Sequence, residues 1–286
     1  MSATILDGKK LAAEWRAKVK KMCDELKRQN IDPTLAVILV GDDPASEVYV
    51  RNKQKACEEC GIGWELHRFS ADVGYSAIGN RILELNHEDD IHGIILQLPL
   101  PNKLKWAERI LQELIDPSKD VDCLHPTNVG HLMHYEWNQW PCTPTGVLEL
   151  MVQNDIPLKG KHAVIVGRSD IVGKPLVPML LSEDCTVTIC HSKTENLASH
   201  TRMADILISA AGKANLITAD LVKPGAVVID VGINRDANGK LCGDVDFQEV
   251  QKVAGWITPV PGGVGPMTVA ILMENVVRAA EEVANG

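Results

Sequence analysis

Val164-Ile165-Val166-Gly167-Arg168-Ser169-Asp170-Ile171-Val172-Gly173-Lys174-Pro175 reads as a buried strand, a glycine-punctuated turn and the start of a helix. Gly167 permits a tight turn, and Gly173 permits close approach of backbone. The general dinucleotide fingerprint, G-x-G-x-x-G, is here loosened to G-x-S-x-x-x-G, a form that an ordinary strand-to-helix turn shares. A helix beginning near Gly173 would aim free N–H groups and a partial positive charge at a pyrophosphate. The next strand, Thr186 to Cys190, runs into His191-Ser192-Lys193-Thr194 and carries no carboxylate at its tip. An acidic residue there would bind the ribose 2′-hydroxyl of NAD and repel a 2′-phosphate. Ser192, Lys193 and Arg168 would attract that phosphate, so the stretch favours NADP, with Glu195 just beyond weighing slightly the other way.

Working outward, Ile206-Leu207-Ile208 and Ala226 to Asp230 are further short apolar strands of the same half. The first half repeats the logic. Leu35 to Val40 and Gly93 to Gln97 read as buried strands, and Trp64 to Phe69 as a weaker third. Helical stretches over Lys9 to Arg28, Ala45 to Cys60 and Ser76 to Asn86 lie between them. Strands alternating with helices predict parallel sheets, and continuous apolar strands predict helices on both faces. Between the halves, Thr143 can cap a following helix and Pro144 suits its first position, with that helix ending near Asn154. Gly265-Pro266 opens a last helix to about Val283, with Ile271, Leu272, Val276 and Val277 as its apolar stripe. It is expected to return to the first domain and leave a cleft between the two, where ligands favour binding.

Composition narrows the function classes. The 286 residues are 45% hydrophobic and 23% charged, which is globular rather than disordered. Aromatics are 4%, too few for a base-stacking surface, and a net charge of −9 offers no general field for a phosphate backbone. No nucleic-acid partner is expected. Met1 to Asp7 has no basic start and no apolar core, and no apolar run approaches membrane length, so neither a secretory leader nor membrane contact is expected. The eight cysteines are then expected as reduced thiols of a cytoplasmic protein. Cys57-Glu58-Glu59-Cys60 lacks the second ligand pair of a structural zinc site, and His125, His131 and His134 near Cys123 carry no metal signature. No metal is expected.

Four stretches carry candidate chemistry. Tyr49 and Lys53, four apart on a helix, share one face and can manage protons together, although the pair also reads as a solvated lysine over a tyrosine. Gln97-Leu98-Pro99 sits at the carboxyl end of a strand, the edge where parallel sheets bind ligands, but also reads as a proline loop. Asp120-Val121-Asp122 offers a carboxylate for a ring bearing amide and amino donors, or a solvated acidic loop. Pro259 to Thr268 holds three glycines and three prolines within ten residues, a rigid loop whose backbone can approach a flat ligand.

In that order, across nearly the whole chain, these stretches resemble the bifunctional methylenetetrahydrofolate dehydrogenase/methenyltetrahydrofolate cyclohydrolase family. The motifs are Gly41 to Ser46 leading into Tyr49 and Lys53, then Gln97 to Pro101, Lys119 to Asp122 and Pro141-Cys142-Thr143-Pro144. Gly167-Arg168-Ser169 through Pro175, His191 to Thr194 and Pro261 to Thr268 complete them. The resemblance implies an N-terminal three-layer α/β catalytic domain, residues 1–142 completed by helix 267–286, which binds the folate. It implies a Rossmann-type NADP-binding domain over 143–266. Lys53 resembles the catalytic lysine. Tyr49 would stack on or orient the folate, Gln97 would tune Lys53, and Asp122 would anchor the pterin. Leu98, Pro99, Pro261, Gly262 and Gly263 would complete the folate site. Gly167, Arg168, Ser169, Gly173, Ser192 and Ile233 would line the NADP site. Tetrahydrofolate derivatives as ligands and a homodimer are implied likewise. One position departs: the family runs Asp-Val-Asp-Gly, and here Cys123 follows Asp122. If that glycine needs positive φ, the cysteine is strained or the loop differs.

The implied chemistry runs in two steps. Hydride leaves the carbon bridging two nitrogens of 5,10-methylenetetrahydrofolate, and the resulting cation is stabilised by the substrate itself. Holding the carbon against the nicotinamide is then the protein's main task. Water next opens the methenyl ring to 10-formyltetrahydrofolate, which requires proton movement and points to Lys53. A dehydrogenase that has lost the second activity through Cys123 would accumulate the methenyl compound. A nucleotide-sensing protein without catalysis would form no NADPH.

Overall fold

The computed structural model describes residues 2–135, 140–236 and 239–285. In chain order the strands are β1 (Thr4–Ile5), β2 (Thr34–Val40), β3 (Gly63–Phe69), β4 (Gly93–Leu96), β5 (His162–Val166), β6 (Thr186–Cys190), β7 (Ile206–Ser209), β8 (Val227–Asp230), β9 (Asn234–Arg235), β10 (Leu241–Cys242) and β11 (Trp256–Ile257). The helices are α1 (Gly8–Arg28), α2 (Pro44–Cys60), α3 (Tyr75–Asn86), α4 (Glu108–Gln112), α5 (Pro126–Met133), α6 (Cys142–Val152), α7 (Gly173–Ser182), α8 (Leu197–Thr201), α9 (Phe247–Val250) and α10 (Val264–Asn285). None of the described helices is long and apolar enough to cross a membrane.

The chain forms two compact units. Ala13–Cys142 with Val269–Gly286 makes the lysine unit, named for Lys53; Met1–Ala12 with Thr143–Thr268 makes the glycine-turn unit. The division falls within α1 and α10, so each helix contributes to both.

The lysine unit is built on a parallel sheet of order β3-β2-β4. Six consecutive apolar residues, Leu35 to Val40, are buried in β2. Successive side chains of a strand face opposite sides, so burial of all six means that both faces are covered. Ala36, Ile38 and Val40 pack with Ile78, Ile82 and Leu85 of α3. α2 is fixed at both ends. Asp43 accepts from the Ser46 amide at 2.8 Å and Pro44 occupies the first turn. Gly61, at φ 76°, closes the far end in the left-handed conformation that glycine tolerates.

The glycine-turn unit holds a six-stranded parallel sheet of order β1-β11-β8-β7-β5-β6. One face buries Val164, Val166, Leu207, Val228 and Ile257 against Ala204, Val222, Val250 and Ala254. Ile165, Ile208 and Ile229 are buried on the other face, where α7 lies along β5 and β6. β1 and β11, two residues each, extend the sheet beyond what the apolar runs suggest. The helix expected to start after Thr143 instead begins at Cys142. Thr143 is therefore not its cap; its hydroxyl lies 3.1 Å from that of Thr268.

Candidate active site

Tyr49 and Lys53 stand one turn apart on the doubly capped α2. The Lys53 Nζ donates to Gln97 Oε1 at 3.1 Å. Gln97 lies just past β4, and its backbone amide extends the sheet ladder to Ile38 O at 2.9 Å. Its Nε2 donates to Leu98 O at 2.8 Å, so the other end of the amide, the oxygen, is left to face the lysine. Gln97 is 8% exposed, Lys53 half-buried and Tyr49 40% exposed. The following loop carries a cis Leu98–Pro99 peptide and is tied down by Leu100 N donating to Glu108 Oε1 at 2.9 Å. These side chains form a buried acceptor, a directed ammonium and an accessible aromatic ring on one edge of the lysine unit.

The turn carrying Asp122 is braced from two sides. Asp120 is buried and accepts from His125 N at 2.7 Å and Asn128 Nδ2 at 2.9 Å. Burial pushes its carboxyl up to about 6, against the lowering effect of those hydrogen bonds. Asn275, on α10 and fully buried, donates to Val121 O at 2.8 Å and Trp140 O at 2.7 Å. Cys142 Sγ also donates to Val121 O, at 3.3 Å. Burial pushes the Cys142 thiol far up, the Asp122 carboxylate reinforces this, and the Lys53 charge opposes it. The Lys53 and Asp122 charges thus act in opposite directions on one buried thiol. The sequence alone assigns no role to Cys142 or Asn275. Cys142 was visible inside Pro141-Cys142-Thr143-Pro144, whereas nothing local marks Asn275.

Cys123 adopts φ 58°. This is the left-handed conformation that a glycine would take freely, and here a cysteine bears it. Its thiol is pushed up by burial and then by Asp120 and Asp122, so it is held as the unreactive thiol. None of the eight cysteines forms a disulfide. Among the described residues no group of three or more His, Cys, Asp or Glu could hold a metal.

In the glycine-turn unit, Gly167 N donates to Cys190 O at 2.9 Å, which joins the ends of adjacent strands β5 and β6. Gly167 has φ 132°, and a Cβ there would run into Ala210 O; a Cβ on Gly173 would run into Gly167 O. Both glycines are required by backbone packing. The first-turn amides of α7 are not free as expected: Ser169 O accepts from Lys174 N at 3.1 Å and Ser169 Oγ from Gly173 N at 3.5 Å. Ser169 caps the helix from a loop that itself stays exposed. Arg168, Ser192 and Lys193 are exposed beyond β5 and β6, and Ile233 is exposed beyond β8. The turn bearing Ser192 is set by His191 N donating to Thr194 Oγ1 at 2.8 Å and Lys193 N to His191 Nδ1 at 3.1 Å.

Pro261, Gly262 and Gly263 also belong to the glycine-turn unit. The Lys9 amide donates to Gly262 O at 3.0 Å, and a Cβ on Gly8 would run into Gly263 O. The small residues of this loop therefore have an internal reason: its backbone lies against the first turn of α1.

The catalytic domain of tetrahydrofolate dehydrogenase/cyclohydrolase matches residues 6–122, and the NAD(P)-binding domain of the same enzymes matches residues 141–284. The bifunctional protein FolD of Nitrosomonas europaea is 54% identical over 98% of this chain and 95% of its own. That of Moorella thermoacetica is 55% identical over 98% and 99%. The solved structure of bifunctional FolD from Campylobacter jejuni superimposes with TM-score 0.94 at 48% identity, covering 98% of this chain and 99% of that one. The Trypanosoma brucei dehydrogenase-cyclohydrolase, solved with NADP cofactor and inhibitor, gives 0.95 at 36% identity over all of both chains. Matched along both of its units, the chain belongs to the tetrahydrofolate dehydrogenase/cyclohydrolase family.

Proposed function

We propose that this protein oxidises 5,10-methylenetetrahydrofolate with NADP and hydrolyses the 5,10-methenyl product to 10-formyltetrahydrofolate. The observation that carries the reading is the lysine–amide pair, Lys53 Nζ to Gln97 Oε1 at 3.1 Å, at the carboxyl edge of the lysine unit's sheet. We assign the folate to the lysine unit and NADP to the glycine-turn unit, which takes in residues 1–12 expected with the first domain. Tyr49, with its accessible ring, orients the pterin, and Asp122 anchors it through the ring's amide and amino donors. Leu98 and Pro99 complete the folate's surroundings on the lysine unit.

The glycine-turn unit fits NADP. Gly167 and Gly173 keep the β5–α7 turn free of side-chain bulk, while Arg168, Ser192 and Lys193 supply donors, with Glu195 the first carboxylate after β6. NADP supplies the hydride acceptor. This chain's part in that step is to hold the bridging carbon in place, because the cation left behind is stabilised within the substrate. Hydrolysis needs proton transfer as water adds to the methenyl carbon. Lys53 serves there, and Gln97 accepts one of its N–H bonds and so fixes where the nitrogen sits. A homodimer in the cytoplasm accords with the family resemblance and with eight cysteines outside disulfides.

The test follows NADPH formation and ring opening separately on pure protein, with NADP or NAD and methylenetetrahydrofolate. NADPH should form and the methenyl compound should not accumulate. Accumulation would mark a dehydrogenase alone, and absence of reduced nucleotide would overturn the assignment.

A further inference from the structure

Asp244 is fully buried, stands just after β10 and takes five hydrogen bonds on two oxygens. Oδ2 accepts from Ser209 Oγ at 3.1 Å, Ala211 N at 2.6 Å and Gly212 N at 3.2 Å. Oδ1 accepts from Lys213 N at 2.8 Å and Asn234 Nδ2 at 2.9 Å. Among the described residues no cationic side chain pairs with it; its donors are backbone amides and two neutral side chains, and the Asp230 carboxylate stands beside it. The donors come from two segments, the last residue of β7 with the loop that follows it, and Asn234, which opens β9 after the loop leaving β8, the neighbour of β7 in the sheet. Asp230 holds Asp244 in turn, accepting from Asp244 N at 3.0 Å, Val245 N at 2.9 Å and Gly232 N at 2.9 Å. Room for the two carboxylates is made by glycine: a Cβ on Gly232 would strike the Asp244 carboxylate, and one on Gly243 the Asp230 carboxylate.

Both loops bear on the nucleotide edge. Ala210 N donates to Val166 O at 2.8 Å, and the Ala210 carbonyl is the group that leaves Gly167 no space for a side chain. Ile233, 52% exposed, stands between Gly232, tied to Asp230, and Asn234, tied to Asp244. We propose that Asp244 is a positioning residue for NADP, locking the 210–213 loop and the 232–234 loop into one surface beside the glycine turn. The proposal rests on the assignment of NADP to this edge.

Three measurements on Asp244→Asn test it: amide exchange at Ala211, Gly212 and Lys213 without ligand, NADPH affinity by fluorescence titration, and hydrolysis of supplied methenyltetrahydrofolate. In this variant an amide group on one side of the side chain must face N–H donors. Exchange at the three amides should rise at least tenfold and NADPH should bind at least tenfold more weakly, while hydrolysis stays within twofold. Ser209→Ala removes one donor only and should weaken NADPH about threefold; it decides the matter if the first variant does not fold. Faster exchange with unchanged NADPH affinity, equal loss of affinity and hydrolysis, or unchanged affinity in Ser209→Ala would each overturn the proposal. Wild-type protein that failed to bind NADPH would instead refute the nucleotide assignment itself, and the exchange data would still report whether Asp244 holds the loop.

Discussion

Cys123 at φ 58° sets a side chain where the backbone suits glycine. A left-handed conformation costs an L-residue roughly 1–2 kcal/mol. The strain can be separated from loss of the thiol by comparing two truncations. Cys123→Gly should be more stable to urea than Cys123→Ala by about 1 kcal/mol, the reverse of the order found where φ is negative. Equal midpoints, or a more stable alanine variant, would show that the turn carries no strain. Asp120, two residues before Asp122, gives a pH signature. Its carboxyl, ordinarily at 3.8, rises to about 6 in the fold because it is buried. The fold therefore binds this proton more tightly than the unfolded chain. Its contribution to stability is full below pH 3.8 and lost as pH rises through 6. Above that, the charged form costs up to about 3 kcal/mol at ~1.4 kcal/mol per pH unit. Asp120→Asn keeps an oxygen for His125 N and Asn128 Nδ2 without the charge. It should raise the denaturation midpoint at pH 8, with the gain fading by pH 4; a gain independent of pH would contradict the burial account.

At the scale of elements, the β5–α7 turn makes the sharpest prediction. Replacing glycine by alanine inside a helix ordinarily stabilises by about 0.5–1 kcal/mol. Gly173→Ala should instead destabilise, by more than about 2 kcal/mol, because the new Cβ meets the Gly167 carbonyl. Thermal unfolding measures the sign. On the next turn, Ser192→Asp should weaken NADPH at least tenfold and spare NADH, since a carboxylate repels the 2′-phosphate. Equal effects on both nucleotides would place the phosphate elsewhere. β2, α2, β5 and β6 are legible in the sequence because each is long enough to show its periodicity or its apolar run. β1, β11 and the β9–β10 hairpin are not, since two-residue strands carry no pattern and depend on distant partners such as Thr4 beside Trp256. The same limit hid part of the site. Lys53 and Gln97 announce themselves through position on a helix and at a strand end. Asn275 and Asp244 act through contacts 154 and 35 residues away and leave no local mark. The free amides expected at Gly173 and Lys174 failed for a local reason, Ser169 capping its own helix.

At the scale of the molecule, each unit has its own sheet and its own apolar interior, and the family's catalytic and NAD(P)-binding domains match residues 6–122 and 141–284. A ligand stabilises what it binds: NADPH at a hundred times its dissociation constant adds about 2.7 kcal/mol to the fold that holds it. The glycine-turn unit should gain that protection, read as slowed amide exchange across β5 to β8. Division of labour also predicts that the two reactions can be uncoupled by one side chain. On the proposed mechanism the hydride step draws its charge stabilisation from the substrate and needs position, whereas the hydrolytic step needs Lys53. Lys53→Met, assayed for both activities, measures this most directly. Hydrolysis of methenyltetrahydrofolate should fall by about a hundredfold or more, the scale of a lost proton-transfer group, while NADPH formation survives within about tenfold. Equal loss of the two activities, or retention of both, would contradict the account.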